Sequence, residues 1–238
     1  MNKPLLIIGN KNYSSWSLRA WLLLKMFDID FNEHPIALFS DSSKPILQAH
    51  SATGKVPVLV DDGINICDSL AIALYVNDYL TDKSIWGNEK NSKAERSHCQ
   101  SLVAEMHSGL MGIRSEMPMN IRATARIQPS KQCLADIARV EQIFAQCLQN
   151  KAKSSDLSEG YLFGEFSVAD AFFAPVIFRL KTYADASKIA LKPTTEKYCE
   201  VMLSNPYMQQ WQALALQETQ VIADDEAGEI VRVVGVLG

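Results

Sequence analysis

Two adjacent serines, Ser14 and Ser15, stand between aromatic residues in the stretch NKNYSSWSLRAW. A short apolar run, PLLIIG at 4–9, stops just before them, and a helical pattern begins inside the stretch. A hydroxyl at such a junction can cap the helix by accepting from a free backbone N–H. It can also do chemistry on a bound group. Taken alone, the stretch leaves both readings open.

A second group of residues narrows the choice. In GKVPVLVDDG, Val56 and Pro57 directly precede a strand, although proline has no N–H for a sheet ladder. A cis Val-Pro bond would turn the Val56 main chain outward, ready to pair with an extended peptide; an ordinary trans proline at a strand start is the alternative. Ten residues on, Asp68 and Ser69 open the helical pattern of DSLAIALYV. Both are good caps, and a helix start with a free hydroxyl also suits a carboxylate, with Asp68 facing an ammonium. Together these residues describe a peptide-like ligand with a carboxylate at one end.

The elements that must position them read as β-α-β-α-β-β-α over about eighty residues. Strands are expected at 4–9, 31–38 (Pro35 marking an edge or an end), 56–62 and 64–67, and helices at 17–29, 43–51 and 68–80. After TDKSIWGNEKN (81–91), a polar connector anchored by Trp86, strand signals vanish. Residues 92–118, 130–150, 167–185 and 194–217 read as helices, with the polar breaks KAKSSDLSEG and ADASKIALKP between the later ones. The expected organisation is an α/β unit (1–80), a linker (81–91), an all-helical unit (92–220) and a tail (221–238) with an acidic patch and one strand-like run. No function attaches to the tail at this level.

Composition excludes several classes. The net charge is −4 with no dense basic block, which argues against a nucleic-acid partner. No stretch approaches the length of a membrane span, so a cytoplasmic protein without a membrane partner is expected. Cys67, Cys99, Cys133, Cys147 and Cys199 are odd in number and widely spaced, a poor basis for a disulfide framework, a zinc site or a dithiol centre.

The block TGKVPVLVDDGINICDSLAIALYV resembles the glutathione-binding half of the cytosolic glutathione transferases, whose thioredoxin-like domain carries a cis-proline loop and an acidic-Ser helix start. YSSWSLRAWL resembles their serine-type active-site loop, closest to the zeta class, and YLFGEFSVADAFFAPVI resembles the capping-box motif of their helical domain. The resemblance runs from about residue 4 to 220 and leaves the tail outside. It implies glutathione as co-substrate, an all-α C-terminal domain, a homodimer and a small electrophile as second substrate. Ser14 would donate a hydrogen bond to the glutathione sulfur, with Ser15 and then Tyr13 as alternatives. Val56 would pair with the cysteinyl unit, Pro57 would set the loop, and Asp68 and Ser69 would hold the γ-glutamyl end. His50 and Lys55 lie where the glycine carboxylate is often met, or are plain loop residues. Trp16 replaces the cysteine of the zeta pattern, which removes a thiol-dependent role there and weakens a transfer of maleylacetoacetate isomerase activity. Trp16 packs or lines the site. A thiol oxidoreductase or a non-catalytic binding module on the same fold are the other implied readings.

In the second unit, SLVAEMHSGLMGIRSEMPMN is expected to wall the electrophile site. Gly109 and Gly112 would weaken a helix by about 1 kcal/mol each, which suggests close approach by a ligand or by another backbone. Met106, Met111 and Met117 form an adaptable apolar wall or core. His107 and Arg114, seven apart, would share a helix face and reach a polar or anionic co-substrate, with Tyr13, Trp16, Met106, Met111 and Arg114 as the expected electrophile pocket. His98 and His107 would face opposite ways, so no metal is expected there. Ser167 and Asp170 fit a capping box, a structural role, with Phe166 packing back on the helix.

Overall fold

The computed structural model describes residues 3–87, 92–151 and 160–236. Strands β1 (Leu5–Ile8), β2 (Asn32–Pro35), β3 (Val58–Asp61) and β4 (Ile64–Cys67) form one sheet in the order β2-β1-β3-β4. β1 runs parallel to β2, and β3 is antiparallel to both β1 and β4. β2 is an exposed edge, where Pro35 costs no inner ladder bond. β3 and β4 are joined by Asp62 and Gly63, both at positive φ (45° and 81°), the pattern of a tight hairpin turn that matches strand twist. Helices α1 (Ser15–Met26), α2 (Lys44–His50) and α3 (Ser69–Tyr75) complete this unit, and one π-helical turn, Val76–Leu80, follows α3. The architecture is a thioredoxin-like α/β unit joined to a helical one. Residues 88–91 of the connector and 152–159 of the first polar break lie outside the described residues.

The helical unit contains α4 (Lys93–Ser108), α5 (Met111–Glu116), α6 (Lys131–Lys151), α7 (Val168–Tyr183), α8 (Pro193–Ser204) and α9 (Pro206–Ala215). Two of the expected long helices are each broken in two. Over 92–118 the break falls at Gly109 and Leu110, the latter left-handed at φ 58°. Over 194–217 it falls at Asn205, which stops α8 and caps α9 by accepting from Tyr207 and Met208 N–H. The expectation that 92–220 is all-helical also fails, at one short strand. β5 (Ala123–Arg126) pairs antiparallel with β6 (Glu229–Val233) of the tail. β5 lies in a stretch whose composition carries no strand pattern, and it exists because the tail returns to pair with it.

Gly112 answers the question of close approach. A Cβ there would lie 2.7 Å from the backbone N of Cys133, so the neighbour is the start of α6 and not a ligand.

One continuous core runs through both units. Leu18, Trp21 and Leu22 of α1, Leu6 and Leu59 of the sheet and Phe172 and Val176 of α7 belong to a single buried cluster. The connector is tied in as well, since Trp86 is buried and Ile85 O accepts from Val168 N at 2.9 Å. The start of α7 carries the capping box expected at Ser167 and Asp170. Buried Asp170 accepts from Leu162 N (2.9 Å), Ser167 N (2.9 Å), Ser167 Oγ (2.7 Å) and Tyr198 Oη (2.8 Å). Burial raises its pKa while these four donors oppose the rise. Phe166 packs against Phe27 and Tyr161. Asp170→Ala strands two buried N–H groups, and a loss of about 3 kcal/mol is expected. Urea unfolding checks it, and a change under about 1 kcal/mol would contradict this account.

Candidate active site

The loop that leaves β1 closes on itself before α1 begins. Ser14 N donates to Asn10 O at 2.7 Å, and Ser14 then caps α1 by accepting from Ser17 N at 3.4 Å. Its hydroxyl donates to Ser17 Oγ at 2.7 Å, which in turn accepts from Gly9 N at 3.0 Å. Ser15 opens the helix, and its Oγ accepts from Arg179 Nη2 at 3.3 Å across the unit boundary. The two serines are both buried but have different neighbours.

A cleft of about 270 Å³ is lined by Trp16 of α1 with Thr53, Lys55, Val56, Pro57 and Asp68; Ser14 and Ser15 are not among its lining residues. The Val56-Pro57 bond is cis. Asp68 caps α3, accepting from Leu70 N at 2.7 Å, and adopts φ 82° and ψ 139°. Non-glycine residues rarely hold such a conformation, and those that do cluster at ligand clamps. Beside it the Ser69 hydroxyl is fully buried with no hydrogen-bond partner among the described residues. A buried hydroxyl without a partner is costly unless something later bonds to it. His50 is not among the lining residues; its Nδ1 lies 3.2 Å from Asn65 Oδ1.

Around Trp16 stands a set of cations, of which the motifs singled out Arg114 and His107 but not Arg19 or Arg179. The Arg19 guanidinium is sandwiched between Trp16 (4.3 Å to the ring centre) and Phe172 (5.0 Å). Its Nε and Nη1 are buried without a partner among the described residues, and burial, then Arg114 and Arg179, hold its pKa well below the ordinary arginine value. Arg114 lies over the other side of the same site, 4.9 Å from the Trp16 ring, and donates to Gly109 O (2.8 Å), His107 O (3.2 Å) and Met106 O. Arg179 gathers the carbonyls at the end of α5, donating to Met117 O at 2.5 Å and Arg114 O at 3.2 Å, and burial brings its pKa down to about 10. His107 meets the Trp16 ring edge-on at 5.2 Å, with Nε2 3.5 Å from Asp68 Oδ2. His107 and Arg114 do meet at the site, but not by sharing a helix face. The break at Gly109 lets Arg114 fold back onto the end of α4. The available signal was Arg19 itself, an arginine inside the apolar pattern of SLRAWLLL.

The remaining expected site residues go elsewhere. Tyr13 turns away from the cleft lining: its hydroxyl donates to Glu226 of the tail and accepts from Arg122 Nη2 at 2.9 Å. Met106 and Met117 are core residues, whereas Met111 is 61% exposed on α5. His98 stacks edge-on against Phe163.

Solved structures place this architecture. Of the chain, 90% superposes on 98% of a glutathione transferase homolog from Burkholderia gl BGR1, crystallised with bound glutathione, at TM-score 0.66 and 21% identity. An unclassified glutathione S-transferase from Bombyx mori gives TM-score 0.68 at 16% identity, over 90% of this chain and 94% of that one. The fold is the glutathione S-transferase fold. Residues 13–78 match the family model for the glutathione S-transferase N-terminal domain. That segment of the transferase fold holds Ser14, Ser15, Trp16, Arg19, Lys55, Val56, Pro57, Asp68 and Ser69, whereas His107, Arg114, Arg179 and the tail lie outside it. A probable maleylacetoacetate isomerase of Caenorhabditis elegans is 27% identical over 113 residues, 48% of this chain and 50% of that protein. The match thus spans half the length of that curated relative. Among the described residues, no helix is long and apolar enough to cross a membrane.

His107 yields a pH dependence. Burial, with Arg19 and Arg114, lowers its pKa from 6.5 despite the opposing pull of Asp68. The unfolded chain therefore takes up this proton first, and stability is lost as the pH falls from 6.5 towards the folded value. Urea unfolding of wild type and His107→Gln between pH 7 and 5 should show a shallower decline in the variant. Parallel declines would remove His107 as a cause.

Proposed function

We propose that this chain is a glutathione-dependent transferase of the serine type. The observation that carries the reading is the cleft, where Trp16, Lys55, Val56, cis-Pro57 and Asp68 meet beside the Ser69 hydroxyl, which has no partner among the described residues. The Val56 main chain pairs with the cysteinyl unit of glutathione. Asp68 takes its ammonium, Ser69 its γ-glutamyl carboxylate and Lys55 its glycine carboxylate. Ser14 turns its O–H from Ser17 to the glutathione sulfur while still accepting from Ser17 N, so the helix cap survives the switch. A free thiol has a pKa near 8.5, and the thiolate is the nucleophile. Lowering that value by about two units requires roughly 2.7 kcal/mol of preference for the anion. One charge-assisted hydrogen bond supplies about half or more of it, and the arginines behind Trp16 add to the positive field. The thiolate then attacks a soft electrophilic carbon, either displacing a leaving group or adding and departing in an isomerisation.

Retention on immobilised glutathione tests the binding half; a chain that washes straight through would sink it. For the chemistry, Ser14→Ala should lower kcat/KM at least tenfold at neutral pH, about 1.4 kcal/mol or more. An active Ser14→Ala with a dead Ser15→Ala would move the donor role to Ser15.

Asp68 acts on Arg19 and Asp225 on Arg179, so Arg19, Arg114 and Arg179 stand against two carboxylates, and this excess of cations favours an electrophile that carries a negative charge of its own. Of two electrophiles differing only in a carboxylate or its amide, the carboxylate should turn over with kcat/KM higher by about tenfold, near 1.4 kcal/mol. Preference for the amide would refute this part alone.

A further inference from the structure

The chain that leaves α9 and runs into the tail reaches back to the loop before Ser14. Glu218 receives two consecutive backbone N–H groups of that loop, Lys11 N at Oε1 (2.7 Å) and Asn12 N at Oε2 (2.9 Å). Two residues on, Gln220 accepts from Asn10 Nδ2 at 2.6 Å and donates to Leu38 O at 3.0 Å. Glu226 accepts from the Tyr13 hydroxyl. Residues 10, 11, 12 and 13 are thus each held by the last part of the chain, more than two hundred positions away.

Arg122 ties the tail to the same loop. It is 2% exposed, and its Nη2 donates to Tyr13 Oη and to Gln220 O, both at 2.9 Å, while Nη1 donates to Glu218 O. Its backbone N donates to Asn12 Oδ1 at 2.9 Å, and its backbone O accepts from Val234 N at 2.8 Å. The β5–β6 pairing then anchors the far end of the tail, and Trp211 of α9 adds a bond from Nε1 to Lys11 O at 2.9 Å.

We propose that residues 218–234 form a clasp that fixes the position of the Ser14 hydroxyl, with Glu218 as its principal positioning residue. The proposal rests on the glutathione reading of the cleft. The physical reason is that Ser14 N is bonded to Asn10 O, so the loop and the serine move as one piece. A carboxylate gripping two successive N–H groups fixes both position and orientation of that piece. Hydrogen-bond strength falls steeply with misalignment, so a looser loop stabilises the thiolate less without altering the walls that hold the rest of the ligand. Glu218 touches no reacting atom and acts through the loop.

The test compares wild type, Glu218→Ala and Glu218→Gln. In Glu218→Ala, thiolate absorbance of bound glutathione should titrate about one pH unit higher, a tenfold smaller thiolate fraction at a pH below both values. S-methylglutathione has no thiol to ionise, and its affinity should stay within about twofold, which a general unfolding of the site would not permit. Glu218→Gln keeps one acceptor oxygen and should recover part of the shift; it carries the test if the alanine variant fails to fold. An unshifted titration overturns the proposal, as does a parallel loss of S-methylglutathione affinity. Amide exchange at Lys11, Asn12 and Ser14 separates the two readings because it requires no ligand. Faster exchange in Glu218→Ala with no glutathione binding by wild type would sink the transferase reading alone. Unchanged exchange would sink the clasp.

Discussion

Helix α1 has no polar face to give to solvent, and the arrangement of the site follows from that constraint. Leu18, Trp21, Leu22, Leu23 and Leu24 are all fully buried, on the sheet side and the α7 side alike. An apolar helix of this kind must be covered all round. The α/β unit covers part of it, and α7 and α9 cover the rest. The amino end of α1 therefore emerges at the seam between the two units. Ser15 meets Arg179 there, and Trp16, the next residue, lines the cis-proline cleft.

Buried polar groups fall into two kinds here, and the difference separates scaffold from site. Asp170 is wholly enclosed and accepts four hydrogen bonds, so its burial is compensated by the fold itself. Ser69 and Arg19 are equally enclosed but retain donors with no partner among the described residues. For Arg19 the two aromatic faces offset part of the cost of removing a cation from water. The remainder makes the region behind Trp16 a place where negative charge is welcome. A thiolate and an anionic co-substrate would each draw on that field.

The loop before Ser14 shows the same economy of contacts. Asn10, Lys11, Asn12 and Tyr13 are nearly inaccessible, which is unusual for a surface connection. Their backbone groups are satisfied because the tail, Arg122 and Trp211 supply partners that a short loop cannot supply for itself. Rigidity at this point is a long-range property, built from residues more than a hundred positions distant.

Much of the α/β unit was legible in the sequence, since each of its features is local. Strand alternation, the Asp62-Gly63 turn, the Asp68 cap, the proline before β3 and the capping box at Ser167 each depend on neighbours within a few residues. The Ser14 cap was legible for the same reason. The breaks at Gly109 and Asn205 were not, because helical periodicity on either side of each continues almost in phase. The strand-like run of the tail was legible as β6, but β5 escaped, because it makes a sheet only with that distant partner. The chemical types present at the site were thus written in the sequence: a hydroxyl at a helix start, a proline-bounded strand and an acidic-Ser cap. Their company was decided by the tertiary structure. Burial of α1 brought Arg19 and Arg114 onto one tryptophan with Arg179 near them, and the return of the chain after α9 placed Glu218 against the loop. Contacts of that span arise from which surfaces must be hidden together, and residue spacing along a single chain does not encode it.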